Sequence, residues 1–499
     1  MALKIDSKQI GLFAGPLTFL MILWFFHPQD LNDEARAILA ATLWIAIWWI
    51  TEAIPIAVTS LLPIILFPLT GGLDIKSTAA SFGHKYVFLY AGGFIIAIAM
   101  ERWHLHKRIA LNIIKAIGTN SSYIILGFMV ATAFLSMWIS NTATSVMMLP
   151  IGMAIISQLD ANPQTRKEDT LLFGKALMLA IAYSASIGGI ATLVGTPPNL
   201  VLAGVVSEIY QVEITFSRWM AFGLPISLSL LVICWQYLVK FAFKLGHTKF
   251  PGGRQEIAQQ LAALGKITFE EKLVLVVFGL TAFAWISRSF FLSKLIPGID
   301  DTIIAITGAI ILFLLPSKVR KDGILTWDEA VKLPWGILLL FGGGLALAEG
   351  FKTTGLAVWI ASQMTLLEGI AVILVLLILI AAVNFLTEIT SNLATTSMLL
   401  PILAPMALSM NVHPYTLLVA ATVAASCAFM LPVATPPNAV VFGSGYLRIP
   451  DMVKAGIWMN VMSILLITLI IYTLLPVIWG FDLNTYPEEF LKAIQRQSN

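Results

Sequence analysis

Charge is what this chain has least of: Asp, Glu, Lys and Arg together make up 11% of its 499 residues, where a soluble domain carries about 25%. That shortage excludes an ordinary water-soluble shell. With 58% hydrophobic residues, a net charge of only +3 and a mean hydropathy of +0.89, the composition is that of an all-α polytopic membrane protein. A charge balance so near neutrality also argues against a nucleic-acid partner. Cysteine is almost missing: Cys234 and Cys427 both sit in apolar runs, so neither a disulfide framework nor a thiolate metal site is indicated. The six histidines show no ligand spacing, which gives a metal centre no support. No glycine-rich nucleotide fingerprint and no nucleophile elbow occur, so an ATP-driven pump, a hydrolase or another enzyme is unsupported, and no organic cofactor is implied.

What is present is a duplication. The twelve residues from Ser140 read SNTATSVMMLPI and the twelve from Ser391 read SNLATTSMLLPI, with eight identities at a separation of 251. A second pair follows, Thr196-Pro197-Pro198-Asn199 and Thr435-Pro436-Pro437-Asn438. Ala91-Gly92-Gly93-Phe94 aligns with Gly342-Gly343-Gly344-Leu345 at the same offset, and each is followed by a partly amphipathic stretch, 104–117 and 352–366, expected to lie along the membrane interface. Paired glycines read most simply as close helix packing. Interrupted apolar segments at matching places in two halves point to the central binding site of a transporter.

Hydropathy places eleven spanning helices near 11–26, 35–50, 53–69, 86–101, 175–193, 221–240, 273–290, 302–315, 335–350, 415–431 and 456–479. The first follows a short basic stretch and runs into His27-Pro28 without a small-residue cleavage site, which reads as a retained anchor. Segments 120–158 and 369–410 do not fit as single spans, because each is long enough for two short helices and is broken by Ser-Asn. They read as re-entrant hairpins whose broken tips face each other inside the protein, since lipid cannot satisfy exposed backbone N–H and C=O groups. With the N-terminus in the cytoplasm, 21 of the 30 Lys and Arg fall on the cytoplasmic side, the expected bias. Eleven crossings then put the tail with Pro487-Glu488-Glu489 outside and give the halves opposite orientations, an inverted-topology repeat. The division that follows is a first segment 1–34, repeat 1 over 35–245 with a broken helix at 175–209, a cytoplasmic connector 246–272, repeat 2 over 273–480 with a broken helix at 415–447, and an external tail 481–499.

Ser, Thr and Asn oxygens, with carbonyls freed by helix breaks, are hard donors suited to a dehydrated Na+, while half-helix N-termini favour an anion. One Ser-Asn pair could equally glue two helices. Two pairs, each coupled to Thr-Pro-Pro-Asn, make that reading weak. No Lys or Arg occurs from Ala116 to Thr165, from Ala176 to Ser217, or from Thr353 to Leu447. If the ligand is a dianion, helix ends and co-bound cations must neutralise it, because an uncompensated charge at that depth is prohibitively costly. Two carboxylates lie near membrane segments. Glu52 sits at a helix junction beside an aromatic belt and reads as interfacial, and Glu388 reads as orienting a hairpin break by hydrogen bonding, with proton coupling the lesser alternative for both.

Ser140-Asn141-Thr142, Ser391-Asn392-Leu393, the two Thr-Pro-Pro-Asn motifs and the stretch Trp48 to Pro55 resemble the divalent-anion/sodium symporter family, the INDY-type di- and tricarboxylate transporters, over nearly the whole chain. The resemblance implies a C2 homodimer in which a mobile transport domain moves against a scaffold as an elevator, each domain drawn from both repeats. It implies import of succinate, fumarate or malate with Na+. Carried over by position, a first sodium site comprises Ser136, Ser140, Asn141 and the backbone of Gly195. A second comprises Thr387, Thr390, Asn392 and the backbone of Ala434. Substrate carboxylates meet Asn141, Thr142, Thr196, Asn392, Leu393, Thr435 and Pro436. Leu393 departs from the Ser-Asn-Thr of many dicarboxylate members and removes a hydroxyl, worth roughly 1.5 to 3 kcal/mol toward a charged group, so tricarboxylate use stays open. The alternatives are a sodium-independent di- or tricarboxylate exchanger on the same fold, citrate/succinate antiport included, and, less well supported, an ion channel. The short loops and the placing of the one glycosylation sequon, Asn120-Ser121-Ser122, on the cytoplasmic side suggest a bacterial plasma membrane.

Overall fold

A computed structural model describes residues 7–118, 120–161, 163, 165–245, 253–363 and 370–495. Residues 246–252 of the expected connector, 364–366 of the second amphipathic stretch and 496–499 of the tail lie outside the described residues. Every element among the described residues is a helix. Ten of them are long and apolar enough to cross a membrane. Two of these, Asn141–Asp160 and Asn392–Ser409, are the second arms of the expected hairpins, whose first arms are Ser121–Ser136 and Val372–Leu386. Three expected spans are shorter: Ile56–Thr70, Asp301–Leu314 and Pro414–Ala425. With the hairpin arms set aside and these three included, the positions match the eleven expected crossings.

Two expected spans need correction. The 53–69 segment is not one helix, because Pro55 starts a single turn, Ile56–Thr59, and a second helix begins at Leu62 with Pro63 in its first turn. The 415–431 segment stops being helical at Ala425. Pro432 lacks an N–H and disfavours helical backbone at Leu431 before it, and the N–H groups of residues 429–431 are taken by a side chain described below.

The two helices that lead into the breaks are almost wholly internal. Lys167–Ile190 is buried over most of its length, and every residue of Pro414–Ala425 is buried. Glycines set the closest approaches: a Cβ on Gly188 would lie 2.3 Å from the Ala133 carbonyl oxygen, and one on Gly456 would lie 2.2 Å from the Phe429 oxygen. The duplicated glycines are packing positions, as expected. Gly92 abuts Ala305, Gly343 the Ser60 backbone and Gly344 the side chain of Ser397. The amphipathic stretch after the first set forms the helix Leu105–Ile117, and the second begins as Leu356–Gln363.

Candidate functional site: two caged breaks

Each hairpin arm ends in a break and restarts on a Ser-Asn pair. In the first, the helix stops at Ser136 and resumes at Asn141, with the Ser140 hydroxyl capping the Ala143 N–H at 3.2 Å. In the second, it stops at Leu386 and resumes at Asn392. Each hairpin faces a broken helix. Lys167–Ile190 resumes as Pro197–Tyr210, and Pro414–Ala425 resumes as Pro436–Phe442. Both restarts place proline in the first helical turn, where its missing N–H costs nothing.

The duplication reaches individual hydrogen bonds. The Ser136 hydroxyl lies 2.5 Å from Asn141 Oδ1 and 2.7 Å from the Ala185 carbonyl oxygen. In the other repeat the Thr387 hydroxyl lies 2.7 Å from Asn392 Oδ1 and 3.0 Å from the Ala425 oxygen. One hydroxyl proton therefore faces two acceptor oxygens in each half. Asn199 donates its amide to the Gly189 and Thr192 carbonyls at 3.1 and 2.7 Å, and Asn438 to the Ala428 and Leu431 carbonyls at 3.4 and 3.0 Å. The Oδ1 atoms of both asparagines are buried without a hydrogen-bond partner among the described residues. The final asparagines of the Thr-Pro-Pro-Asn motifs are thus the side chains that pin the broken helices open.

In the first cage, Ser136, Asn141 and Gly195 come together with one residue that no motif signalled. A Cβ on Gly189 would lie 2.8 Å from Asn141 Oδ1 and 3.1 Å from the Gly195 oxygen. Side-chain and main-chain oxygens gathered about one point are the donor type that a small hard cation takes. Gly189→Ala fills the space and is expected to raise the sodium concentration for half-maximal transport by about tenfold or more, read from uptake against sodium at fixed substrate. In the second cage, Thr387 and Asn392 meet directly, whereas the Thr390 hydroxyl bonds to the Leu386 carbonyl and to the Thr395 hydroxyl. Ala434 is buried beside the break.

Of the expected substrate contacts, Thr142 and Pro436 are exposed, Asn141 and Asn392 half-buried, and Thr196 and Thr435 buried, with the Thr435 hydroxyl accepting from the Asn438 N–H at 3.3 Å. Leu393 is buried, unlike its repeat counterpart Thr142. Val433, within the second break, is 80% exposed although the helix leading into it is wholly internal. Within a membrane, non-helical backbone is stable only where it is buried in protein or faces water. No Lys or Arg appears among the hydrogen-bond partners of these residues within the described structure.

Glu388 also departs from expectation. It is 3% exposed, and its hydrogen bonds run outside its own hairpin. It reaches across to the second broken helix, accepting from the N–H groups of Phe429, Met430 and Leu431 at 2.7 to 3.1 Å and from Asn460 Nδ2 at 2.8 Å. Glu52 is the left-handed C-cap of Asp33–Thr51, more than half exposed and 3.8 Å from Lys8, in keeping with an interfacial position.

Two pairs of broken helices meeting at polar, cation-free tips define a multi-pass membrane transporter. The chain belongs to the sodium:sulfate symporter family, whose transmembrane region matches residues 7–480. It is 48% identical over 484 residues to the sodium-dependent dicarboxylate transporter SdcS of Staphylococcus saprophyticus, covering 96% of this chain and 93% of that one, and equally similar to SdcS of Staphylococcus aureus strain USA300. Among solved structures, the MtrF efflux pump of Neisseria gonorrhoeae superposes with a TM-score of 0.55 over 95% of this chain and 96% of its own, at 13% identity, a likeness of fold.

Proposed function

We propose that the chain imports C4-dicarboxylates such as succinate, fumarate and malate together with Na+. Two oxygen cages related by the internal repeat, each with one asparagine amide at its centre, carry this reading. Ser136, Ser140, Asn141 and Gly195 would hold one sodium ion, and Thr387, Thr390, Asn392 and Ala434 a second. The substrate carboxylates would meet Asn141, Thr142, Thr196, Asn392, Leu393, Thr435 and Pro436 between them. With no protein cation hydrogen-bonded to the cages, the ions supply the compensating positive charge, so binding of cation and dianion is coupled by electrostatics. The names of the SdcS relatives support the same substrate class and cation.

The hairpins and broken helices would form a transport domain that moves as an elevator against the remaining helices, in a homodimer in the bacterial plasma membrane, with the N-terminus cytoplasmic and the C-terminus external. Ion pairs that join these two groups of helices support an externally closed arrangement. Lys352 lies 2.9 Å from Glu208 at the end of the first broken helix, and Arg288 lies 2.8 Å from Glu213 just beyond it. Both sit on the side assigned as external. It follows that Val433→Cys will be labelled by a membrane-impermeant thiol reagent from the cytoplasmic face, several-fold faster without substrate and sodium than with them. The native Cys234 and Cys427 are fully buried and give little background.

The deciding measurement is labelled succinate uptake into proteoliposomes under an inward Na+ gradient, compared with K+ or choline, without and with internal succinate. Uptake that needs Na+ and no internal substrate is expected. Uptake that needs internal succinate and ignores Na+ would make the protein an exchanger.

A further inference from the structure

A groove of about 920 Å³ lies away from the two cages, between the start of Lys167–Ile190, the end of Phe216–Gln236 and the first turns of Ile449–Trp479. These three helix ends lie on one membrane face, the one that the basic-residue bias assigns to the cytoplasm. Lys175, Lys244 and Lys454 line the groove together with the apolar Val232, Trp458 and Met462. Along one helix, Lys454, Trp458 and Met462 are spaced four residues apart and share a face, so cation, interfacial aromatic and flexible apolar side chain follow one another toward the membrane interior.

The rim charge is not cancelled. Asp451 is the one carboxylate lining the groove, and it is held by Lys175 at 2.8 Å and by Arg448 at 3.4 Å. Lys244 and Lys454 are exposed and make no ion pair among the described residues. The helix that forms one wall leaves regular α-geometry here, continuing as π-helical turns over Tyr237–Ala242. Such turns are rare and recur at functional sites. They carry Phe241, 69% exposed, and lead to Lys244 at the rim.

We infer that this groove binds an anionic phospholipid, its phosphate between Lys244 and Lys454 and an acyl chain along Val232, Trp458 and Met462. Charge selects the ligand. A zwitterionic headgroup brings its own cation to a rim that already has an excess of them, whereas an anionic one is attracted by about fivefold per nearby lysine. Indole rings favour the headgroup boundary, and Trp458 stands one turn along the helix from Lys454. Because the restarted segment Pro436–Phe442 of the second broken helix runs through the turn 443–448 into the helix that bears Lys454, a lipid here would lie against an element joined to the second break without touching the cages.

The test is native mass spectrometry of the purified full-length protein, released from mixed vesicles of phosphatidylglycerol and phosphatidylcholine, for wild type and for the double variant Lys244→Ala, Lys454→Ala. Both lysines are exposed, and the unchanged elution of the variant on size exclusion would confirm its fold. The wild type is expected to retain phosphatidylglycerol over phosphatidylcholine, and the variant to lose up to about thirtyfold of that preference. Equal retention of the two lipids by the wild type would overturn the assignment, as it would if another segment of the chain fills the groove. So would a preference unchanged in the variant. The readout is binding, so it stands or falls independently of whether succinate uptake needs sodium.

Discussion

Asn141→Ala and Asn392→Ala will each lower sodium-driven succinate uptake at least about hundredfold while leaving a folded protein. Each amide oxygen is one of the two acceptors crowded around a single hydroxyl, Ser136 at 2.5 Å in one repeat and Thr387 at 2.7 Å in the other. Truncation removes a cation ligand and, on the proposed reading, a hydrogen bond to a substrate carboxylate. A bond to a charged group contributes roughly 1.5 to 3 kcal/mol, and two such losses reach two orders of magnitude. Both side chains are half-buried at hairpin tips rather than in the packed core, so the fold should survive their loss. Thermal unfolding separates binding from transport. Sodium should raise the Tm of the wild type and of Asn112→Ala, an exposed asparagine on the Leu105–Ile117 helix, by clearly more than that of either cage variant, which keeps only the other site. Retained uptake in either would end the idea that one amide serves both cation and substrate.

The tips were legible because side chains carried the signal twice. Ser-Asn and Thr-Pro-Pro-Asn recur at fixed spacing, and the hairpins and broken helices fall where those motifs placed them. What escaped notice is mostly main chain. The carbonyl oxygens of Ala185 and Ala425, matched partners of the two hydroxyls, belong to alanines in apolar runs that nothing in residue type distinguishes. Gly189 was invisible for the same reason, its role being to leave room for Asn141. The end of the helix at Ala425 was misplaced by hydropathy because the break that follows, Ser426 to Ala434, is itself apolar; the N–H groups of its residues Phe429, Met430 and Leu431 are met by a carboxylate. Leu393 reads as a lost hydroxyl at the tip, yet its side chain is buried, whereas its repeat counterpart Thr142 is exposed.

That carboxylate makes the strongest stability prediction. Glu388 immediately follows Thr387 of the second cage and gathers three main-chain N–H groups 41 to 43 residues further on. Those groups have no helical partner, since the turn they belong to is the one that opens the helix. Glu388→Ala strands them in a buried site at about 1 to 3 kcal/mol each. The sum is comparable with the whole stability of many folded domains, so the variant should fail to accumulate as a monodisperse protein. Glu388→Gln is the more informative change. The amide keeps one acceptor oxygen and turns an NH2 group toward the N–H of Phe429 or Leu431, two donors facing each other without an acceptor. The break should then relax away from Thr387 and Asn392, shifting the carbonyls of its near end, Ala425 included. The expected result is a folded protein whose half-maximal sodium concentration rises about tenfold or more, with a smaller change in the succinate KM at saturating sodium. A proton-coupling role predicts something else: loss of the pH dependence of uptake with sodium affinity intact. If Glu388→Gln leaves the sodium dependence unchanged, the carboxylate does not hold the second cage in shape.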